Sequence, residues 1–317
     1  MPILTTATKQ IPTTEGALIK RGKKGFRGTP GGFDARAEND ICKEFVRGSG
    51  QYVLLPKGTR LLNAVCTLLT EDMQKPLVFE EVVLPKIAPV KTFRKAGITG
   101  NWDDYLIVVR PFSSTKGVRE EYLMDPLQCT TFYQIFEGNV IEPSSLPVKW
   151  FDCSGPTYRN EDSDKIVPLV KQREFHRAEF IYLGTKAQTI QIREECLARL
   201  ERLCVDLGLE YRIVVGSGCY EIKPGELGPP QTLDEIPVKD LEIYCPGYRN
   251  GSSFLEVAGS AVLSTILTSR FSITGQNCTA LWSGCTGIGL ERMMFALLTN
   301  YGADFEKFPG KIREVME

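Results

Sequence analysis

An α+β fold, a mainly antiparallel sheet flanked by helices, is what this 317-residue sequence predicts. Three observations carry that expectation. Two long stretches, from Leu61 and from Ile190, place apolar residues at the spacing of an amphipathic helix. Between and after them, short strand-like runs follow one another, separated by glycine and proline clusters and not by helices. A glycine-rich stretch, Trp282 to Arg292, leads into a third apolar helix over Met293 to Leu298. With 42% hydrophobic residues the chain can bury one large core, or one core plus a small appendage.

Taken in order, residues 1–54 are polar and glycine-rich, and they carry Lys20, Arg21, Lys23, Lys24 and Arg27 ahead of Thr29-Pro30-Gly31-Gly32. They read as a basic, solvated N-terminal arm on a folded domain spanning 55–317, with phosphate contact as the alternative. Apolar residues at 61, 62, 65, 68, 69 and 73 predict a helix that stops before Pro76. Val78 to Pro85 then reads as a strand. Its proline cannot donate to a ladder, which suits a sheet edge or an interface, and a long helix beside such a strand is a common way to build a dimer. Trp102 to Pro126 has no clear period. Cys129 to Phe136 opens the next ordered unit, and Val148 to Asp152 is a predicted strand.

Tyr158-Arg159-Asn160-Glu161 and Lys171 to Leu183 predict two strands joined by a charged loop, which brings Arg159 and Arg177 close together. Two guanidinium groups over one surface call for an anion; the alternative is that both pair with nearby carboxylates at a rim. A second long helix runs from Ile190 to Leu207 and ends near Gly208, its apolar stripe facing the core. Tyr211 to Val215, Leu241 to Cys245 and Ser253 to Val257 are short strand-like runs. In the final stretch, glycines let backbone approach a ligand, and Arg292 at a helix start can face a phosphate. An ordinary loop-to-helix turn with a solvated Arg292 is the competing reading.

A formal charge of −1 and a pI near 6.1 argue against binding to nucleic acid driven by bulk charge, so a polyanion must meet a local patch. Ten cysteines without a C-x-x-C pair, in a chain with ample core residues, fit reduced thiols in the cytoplasm. No charged-then-apolar leader and no run of about 18 apolar residues is present, so neither export nor a membrane partner is expected.

Three stretches spread along the chain together resemble the three motifs of class II aminoacyl-tRNA synthetases. Glu81-Val82-Val83-Leu84-Pro85-Lys86 after a long helix is similar to the dimer-forming first motif. Tyr158-Arg159-Asn160-Glu161 with Phe175 is similar to the second, and Gly287-Ile288-Gly289-Leu290-Glu291-Arg292 to the third. More particular wording, in Leu146 to Pro156, Glu174 to Glu179, Leu183 to Lys186 and Leu281 to Cys285, resembles the zinc-dependent seryl-tRNA synthetases of methanogenic archaea. The related amino acid:carrier protein ligases share that core.

The resemblance implies an ATP-dependent ligase that forms an aminoacyl-adenylate from serine or another small amino acid. It implies Arg159 on the α-phosphate of ATP, Glu161 on the adenine amino group, Phe175 stacked on adenine, Arg292 on the γ-phosphate and Glu256 helping to bind Mg²⁺. The family's zinc ligands match Cys129, Glu179 and Cys285, with Cys278 as a rival to Cys285, and the metal would take the α-amino group of the substrate. Arg177, Glu179 and Trp282 are the residues expected at the amino acid, and a homodimer is expected. His176 and Glu179, three apart on a strand, should point to opposite faces, which leaves His176 outside the site.

This chain also departs from the pattern. Only about 50 residues precede the first core helix, where the methanogenic enzymes carry a domain that grips tRNA. Lys171 stands where an arginine is usual, Val257-Ala258-Gly259 replaces a polar stretch containing an Asn at the serine site, and Gly216 to Tyr220 differs from an aromatic-rich pocket segment. The first of these departures favours transfer to a carrier-protein thiol or another specialised acceptor. A serine-tRNA ligase is the alternative, and a non-catalytic paralogue the second alternative.

Overall fold

The computed structural model describes residues 11–25, 39–100, 102–110, 121–248 and 253–316. The first element is strand β1 (Leu18–Arg21), followed by a hairpin of β2 (Cys42–Glu44) and β3 (Tyr52–Leu54). Helix α1 (Pro56–Leu69) starts with proline at its first turn, continues through one π-helical turn at Thr70–Gln74, and gives way to the edge strand β4 (Glu80–Glu81). β5 (Ile87–Pro89), helix α2 (Val90–Ala96), β6 (Val108–Val109) and β7 (Tyr122–Met124) form a small three-stranded sheet with its helix. Helix α3 (Cys129–Ile135) and β8 (Val140–Ile141) lead to β9 (Val148–Asp152), β10 (Pro156–Tyr158) and the long β11 (Glu174–Gly184). Helix α4 (Lys186–Asp206) begins at a capping box in which Thr185 and Gln188 each bond the other's backbone N–H. β12 (Tyr211–Val215), β13 (Val238–Tyr244) and β14 (Phe254–Val262) follow, then α5 (Ile266–Arg270), β15 (Thr274–Gly275), β16 (Trp282–Gly289), α6 (Leu290–Tyr301) and α7 (Gly310–Glu314).

The main sheet runs β1-β12-β13-β14-β16-β11-β9-β4, with β10 hydrogen-bonded to β11. Every pair in it is antiparallel except β4 with β9, so the expected mainly antiparallel α+β arrangement is what forms. Strand alternation on β11 separates two layers. Ala178, Phe180 and Tyr182 join the core formed with α1, α4 and α6, whereas Ile181 and Leu183 join a second cluster with Phe132, Tyr133, Leu267 and Phe271. Phe175, Arg177 and Glu179 share that second face.

Four expectations from the sequence are corrected. Trp282 to Gly289 is not a turn but a central strand, and its glycines serve packing: a β-carbon at Gly284 would overlap the Tyr182 ring, and one at Gly287 the Arg177 guanidinium. Leu18–Arg21, expected within a solvated arm, pairs with β12 and closes one edge of the sheet, while Arg27 and Thr29 to Gly32 lie outside the described residues. The strand expected over Val78 to Pro85 reduces to Glu80–Glu81, since Val78 has φ 54° and cannot extend the pleat. The run Ser253–Val257 reaches on to Val262, because Gly259 and Ala261 pair with Gly287 and Cys285 of β16.

Candidate active site

One level of the main sheet sets the floor of the site. Register places Asp152, Glu179, Gly287, Gly259 and Asp240 side by side on β9, β11, β16, β14 and β13. Directly paired residues share a face, so the two glycines leave a shallow trough between carboxylates on either side. A cavity of about 240 Å³ opens there. Arg159, Glu161, Phe175, Arg177, Glu256, Arg292, Cys129 and Cys285 all line it, so residues spread over more than 160 positions of sequence meet at one place.

At one end, the β10–β11 hairpin carries Arg159 beside Phe175, as Thr157 pairs with Phe175 across the ladder. The Arg159 guanidinium lies 4.6 Å from the centre of the Trp102 ring and 5.4 Å from that of Phe175. Burial, together with Arg177 and Arg292 nearby, lowers the Arg159 pKa, a concentration of positive charge that an anion would relieve. Glu161 is buried and ion-paired with Lys171 at 2.9 Å. Arg292, in the first turn of α6, donates through Nε to the Val170 carbonyl and through Nη1 to the Glu256 carbonyl, each at 3.0 Å, and its Nη1 is 3.2 Å from Glu256 Oε2. Burial opposes ionisation of Glu256, but Arg292, Arg159 and Arg177 outweigh it and hold that carboxyl below its ordinary range.

At the other end, one sulfur or oxygen atom from each of Cys129, Glu179 and Cys285 lies within 4.8 Å of the others, and all three residues are buried. They come from the start of α3, from β11 and from β16. Glu179 forms an ion pair with Arg177, Nε to Oε2 2.7 Å, and its oxygens accept no other bond from a nitrogen or hydroxyl donor. Burial raises its pKa against the pull of Arg177. The Cys285 thiol is pushed up by Cys129 beside it and by burial. Two sulfurs and a carboxylate, buried and under-satisfied, fit a tetrahedral cation that leaves one position open.

The matching of residues to this group is selective. His176 points the other way: its backbone N–H and Nδ1 meet the Glu291 carboxylate at 2.9 and 2.7 Å, and although burial opposes the charged ring, Glu291 holds its pKa above the usual range. Cys278 is exposed and outside the cluster. Two expected site residues lie outside the cavity lining: Glu179, buried just behind it against Arg177, and Trp282, which pairs with Gly184 at the far end of β16, with Lys186 Nζ 5.2 Å above its ring. Tyr220 lines the cavity instead, its hydroxyl 2.9 Å from Cys129 Sγ.

Against this geometry, the pattern of the tRNA synthetase class II core domain (G, H, P, S and T) matches residues 112–301, more than half of the chain. The chain belongs to the class II aminoacyl-tRNA synthetases. As a class II synthetase it is similar to the type-2 serine--tRNA ligase of Methanopyrus kandleri, with 27% identity over 94% of this chain and 64% of the relative. The same enzyme of Methanothermobacter thermautotrophicus is 29% identical over 92% of this chain and 64% of its own length. The chain thus spans less than two thirds of the length of these relatives. Among solved structures, the M. kandleri seryl-tRNA synthetase bound to A. aeolicus tRNASec superposes with a TM-score of 0.83 at 24% identity, over 98% of this chain and 65% of that one. The cytoplasmic serine-tRNA ligase of Naegleria fowleri in complex with AMP gives 0.79 at 14% identity, over 98% and 73%. At those identities the likeness is one of fold.

Four residues that this class II synthetase brings to the cavity were not among those expected at the site. Trp102 stood in a stretch without a period, Asp240 inside a strand-like run, and Tyr220 in a glycine-rich segment. Lys171 was noted only as a departure, and it is the cation that neutralises Glu161. Among the described residues, no helix is long and apolar enough to cross a membrane.

Proposed function

We propose that the chain activates a small amino acid, serine foremost, as its aminoacyl-adenylate and passes it to tRNA. The observation that carries this reading is a single cavity whose arginine-rich end is joined to Cys129 and Cys285, which with the buried Glu179 behind them form one cluster. In the reaction the substrate carboxylate attacks the α-phosphorus of ATP, pyrophosphate leaves with the cleaved bond's electrons, and no proton need be removed. Arg159 and Arg292 hold the phosphates, where fixed guanidinium groups stabilise developing charge without reorganising. Phe175 and Glu161 receive the adenine. Glu256 supports Mg²⁺ at the phosphates.

Zn²⁺ at Cys129, Glu179 and Cys285 would offer its open position to a neutral α-amine. Arg177, 2.7 Å away, opposes the burial that favours the neutral acid at Glu179. The domain 55–317 would carry this chemistry, with Leu18–Arg21 of the preceding segment lent to its sheet. We take the unit to be a homodimer docked through the β4 edge, where Val78 and Val83 are 72% and 80% exposed.

The acceptor is the point on which the sequence expectation changes. A carrier-protein thiol was favoured above, but the relatives found are serine--tRNA ligases, which supports tRNA instead. Amino-acid-dependent exchange of pyrophosphate into ATP tests activation. Labelled amino acid offered to tRNA and to a phosphopantetheinylated carrier protein in parallel tests the acceptor, with label expected on tRNA. Absence of exchange with every amino acid would return the chain to a non-catalytic paralogue.

A further inference from the structure

We propose that Lys86, from the segment after the edge strand, is a positioning residue for the amine end of the site and acts through the buried acid Asp152. The inference rests on the reading of Cys129, Glu179 and Cys285 as metal ligands given above. Lys86 does not line the cavity, and the sequence marks its stretch, Glu81 to Lys86, only for a resemblance to a dimer-forming motif.

Asp152 ends β9 and is the direct cross-strand partner of Glu179, and both carboxylates are 0% exposed. Like charges directly opposite on a ladder repel one another. Each acid here has its own cation: Arg177 for Glu179, and Lys86 for Asp152, with Nζ 2.5 Å from Oδ2. Without Lys86 the charge on Asp152 would be buried and uncompensated, and it would press directly on the proposed metal-binding carboxylate.

The same acid also holds the sulfur side. Gln128 donates through Nε2 to Asp152 Oδ2 at 3.0 Å and to the Asp152 carbonyl at 3.4 Å, while Asp152 Oδ1 accepts the Ser154 N–H at 3.0 Å. Gln128 is fully buried and immediately precedes Cys129 at the start of α3. Lys86, Asp152 and Gln128 therefore form one chain of contacts that ends beside one ligand and opposite another. Its first link is guided on both sides. The Lys86 stem crosses Gly155, where a β-carbon would come within 3.2 Å of Lys86 Cε, and the Lys86 carbonyl accepts the Asp125 N–H at 3.0 Å.

The test compares wild type, Lys86→Met, Lys86→Arg and the double variant Lys86→Met with Asp152→Asn, each full length. Zn²⁺ affinity is read by competition with a chromogenic chelator, and the KM values for amino acid and ATP by pyrophosphate exchange. Partners that orient metal ligands are typically worth about 10–100-fold, so Lys86→Met should weaken Zn²⁺ binding and raise the amino-acid KM by about that factor while leaving the ATP KM nearly unchanged. Lys86→Arg should restore most of both. The double variant, which removes the uncompensated acid, should bind Zn²⁺ more tightly than Lys86→Met alone. A folded Lys86→Met protein with wild-type Zn²⁺ affinity and amino-acid KM overturns the proposal. Should that variant not fold, Gln128→Leu leaves both charges in place and is read by the same assays, and wild-type values there overturn it equally. A wild-type protein that takes up no Zn²⁺ refutes the metal reading itself, a separate result.

Discussion

Gly287→Ala adds one methyl group to the floor of the trough, and its effect can be worked out from the atoms above it. A β-carbon there would meet Arg177 Nη2, Nε and Cζ all closer than 3.0 Å, whereas non-bonded atoms settle at about 3.5–4.0 Å. The guanidinium must retreat by about 1 Å or more, which carries Nε away from Glu179 Oε2, now at 2.7 Å, and beyond hydrogen-bonding range. Gly287 does not have positive φ, so backbone strain adds nothing and the effect isolates this overlap. Overpacking of this kind costs about 1–3 kcal/mol of stability. Loosening a group that orients a metal ligand should lower amino-acid-dependent exchange by about 10–100-fold. Gly228→Ala is the control: its β-carbon would meet nothing within 4 Å and its φ is also ordinary, so stability should stay within about 0.5 kcal/mol. Urea unfolding and pyrophosphate exchange on both variants check the argument. Gly287→Ala behaving like Gly228→Ala would refute it.

Other consequences follow from the same geometry. Arg159→Ala and Arg292→Ala should each slow adenylate formation by at least about a hundredfold while folding survives, and near wild-type exchange in either folded variant would mean the phosphates lie elsewhere. Cys285→Ser should lose bound zinc and exchange together and Cys278→Ser should keep both, as metal analysis and exchange can show. Burial and the carboxylates of Glu256, Glu242 and Glu15 push Asp240 up to about 8 against the pull of Arg292. The folded state then keeps a proton that the unfolded chain has released, so between about pH 4 and 8 this group lowers stability as pH rises, at up to about 1.4 kcal/mol per pH unit. Asp240→Asn should therefore gain on wild type across that range in urea unfolding without ligand, and a pH-independent difference would contradict the assignment. Light scattering at micromolar concentration should find a dimer, and a monomer would remove the β4 edge as its interface.

How much of this was legible in the sequence depended on whether a local rule governed each element. Val148–Asp152 and Tyr211–Val215 form as strands over the expected residues because short β-rich runs bounded by turn residues have few alternatives. The helix expected from Ile190 begins four residues earlier, at Lys186, where the Thr185 capping box supplies a start that the apolar spacing does not contain. Where a tertiary demand governed, local reading failed. Trp282–Gly289 looks like a turn because three of its residues are glycine, yet two of them are there to admit Tyr182 and Arg177 across the sheet. Leu18–Arg21 becomes a strand only because β12 offers a free edge far along the chain. The site shows the same division. The arginines of the hairpin and of α6 were suggested by local pattern, with an anion as one of two readings. Cys129, Glu179 and Cys285, separated by 50 and 106 positions, have no spacing rule to reveal them and came only through the resemblance of the surrounding motifs. Asp152 and Lys86 were invisible as a pair, since their meeting depends on the passage of a stem over Gly155.

The most direct test of the central claim is amino-acid-dependent pyrophosphate exchange by the zinc-loaded protein, screened across all the amino acids and their N-acetyl forms. The account predicts exchange with serine or another small amino acid and none with its N-acetyl derivative, because an amide nitrogen has no lone pair to offer the position beside Cys129, Glu179 and Cys285. Exchange that is equal with the acetylated substrate, or absent with every amino acid in folded, zinc-loaded protein, would contradict it.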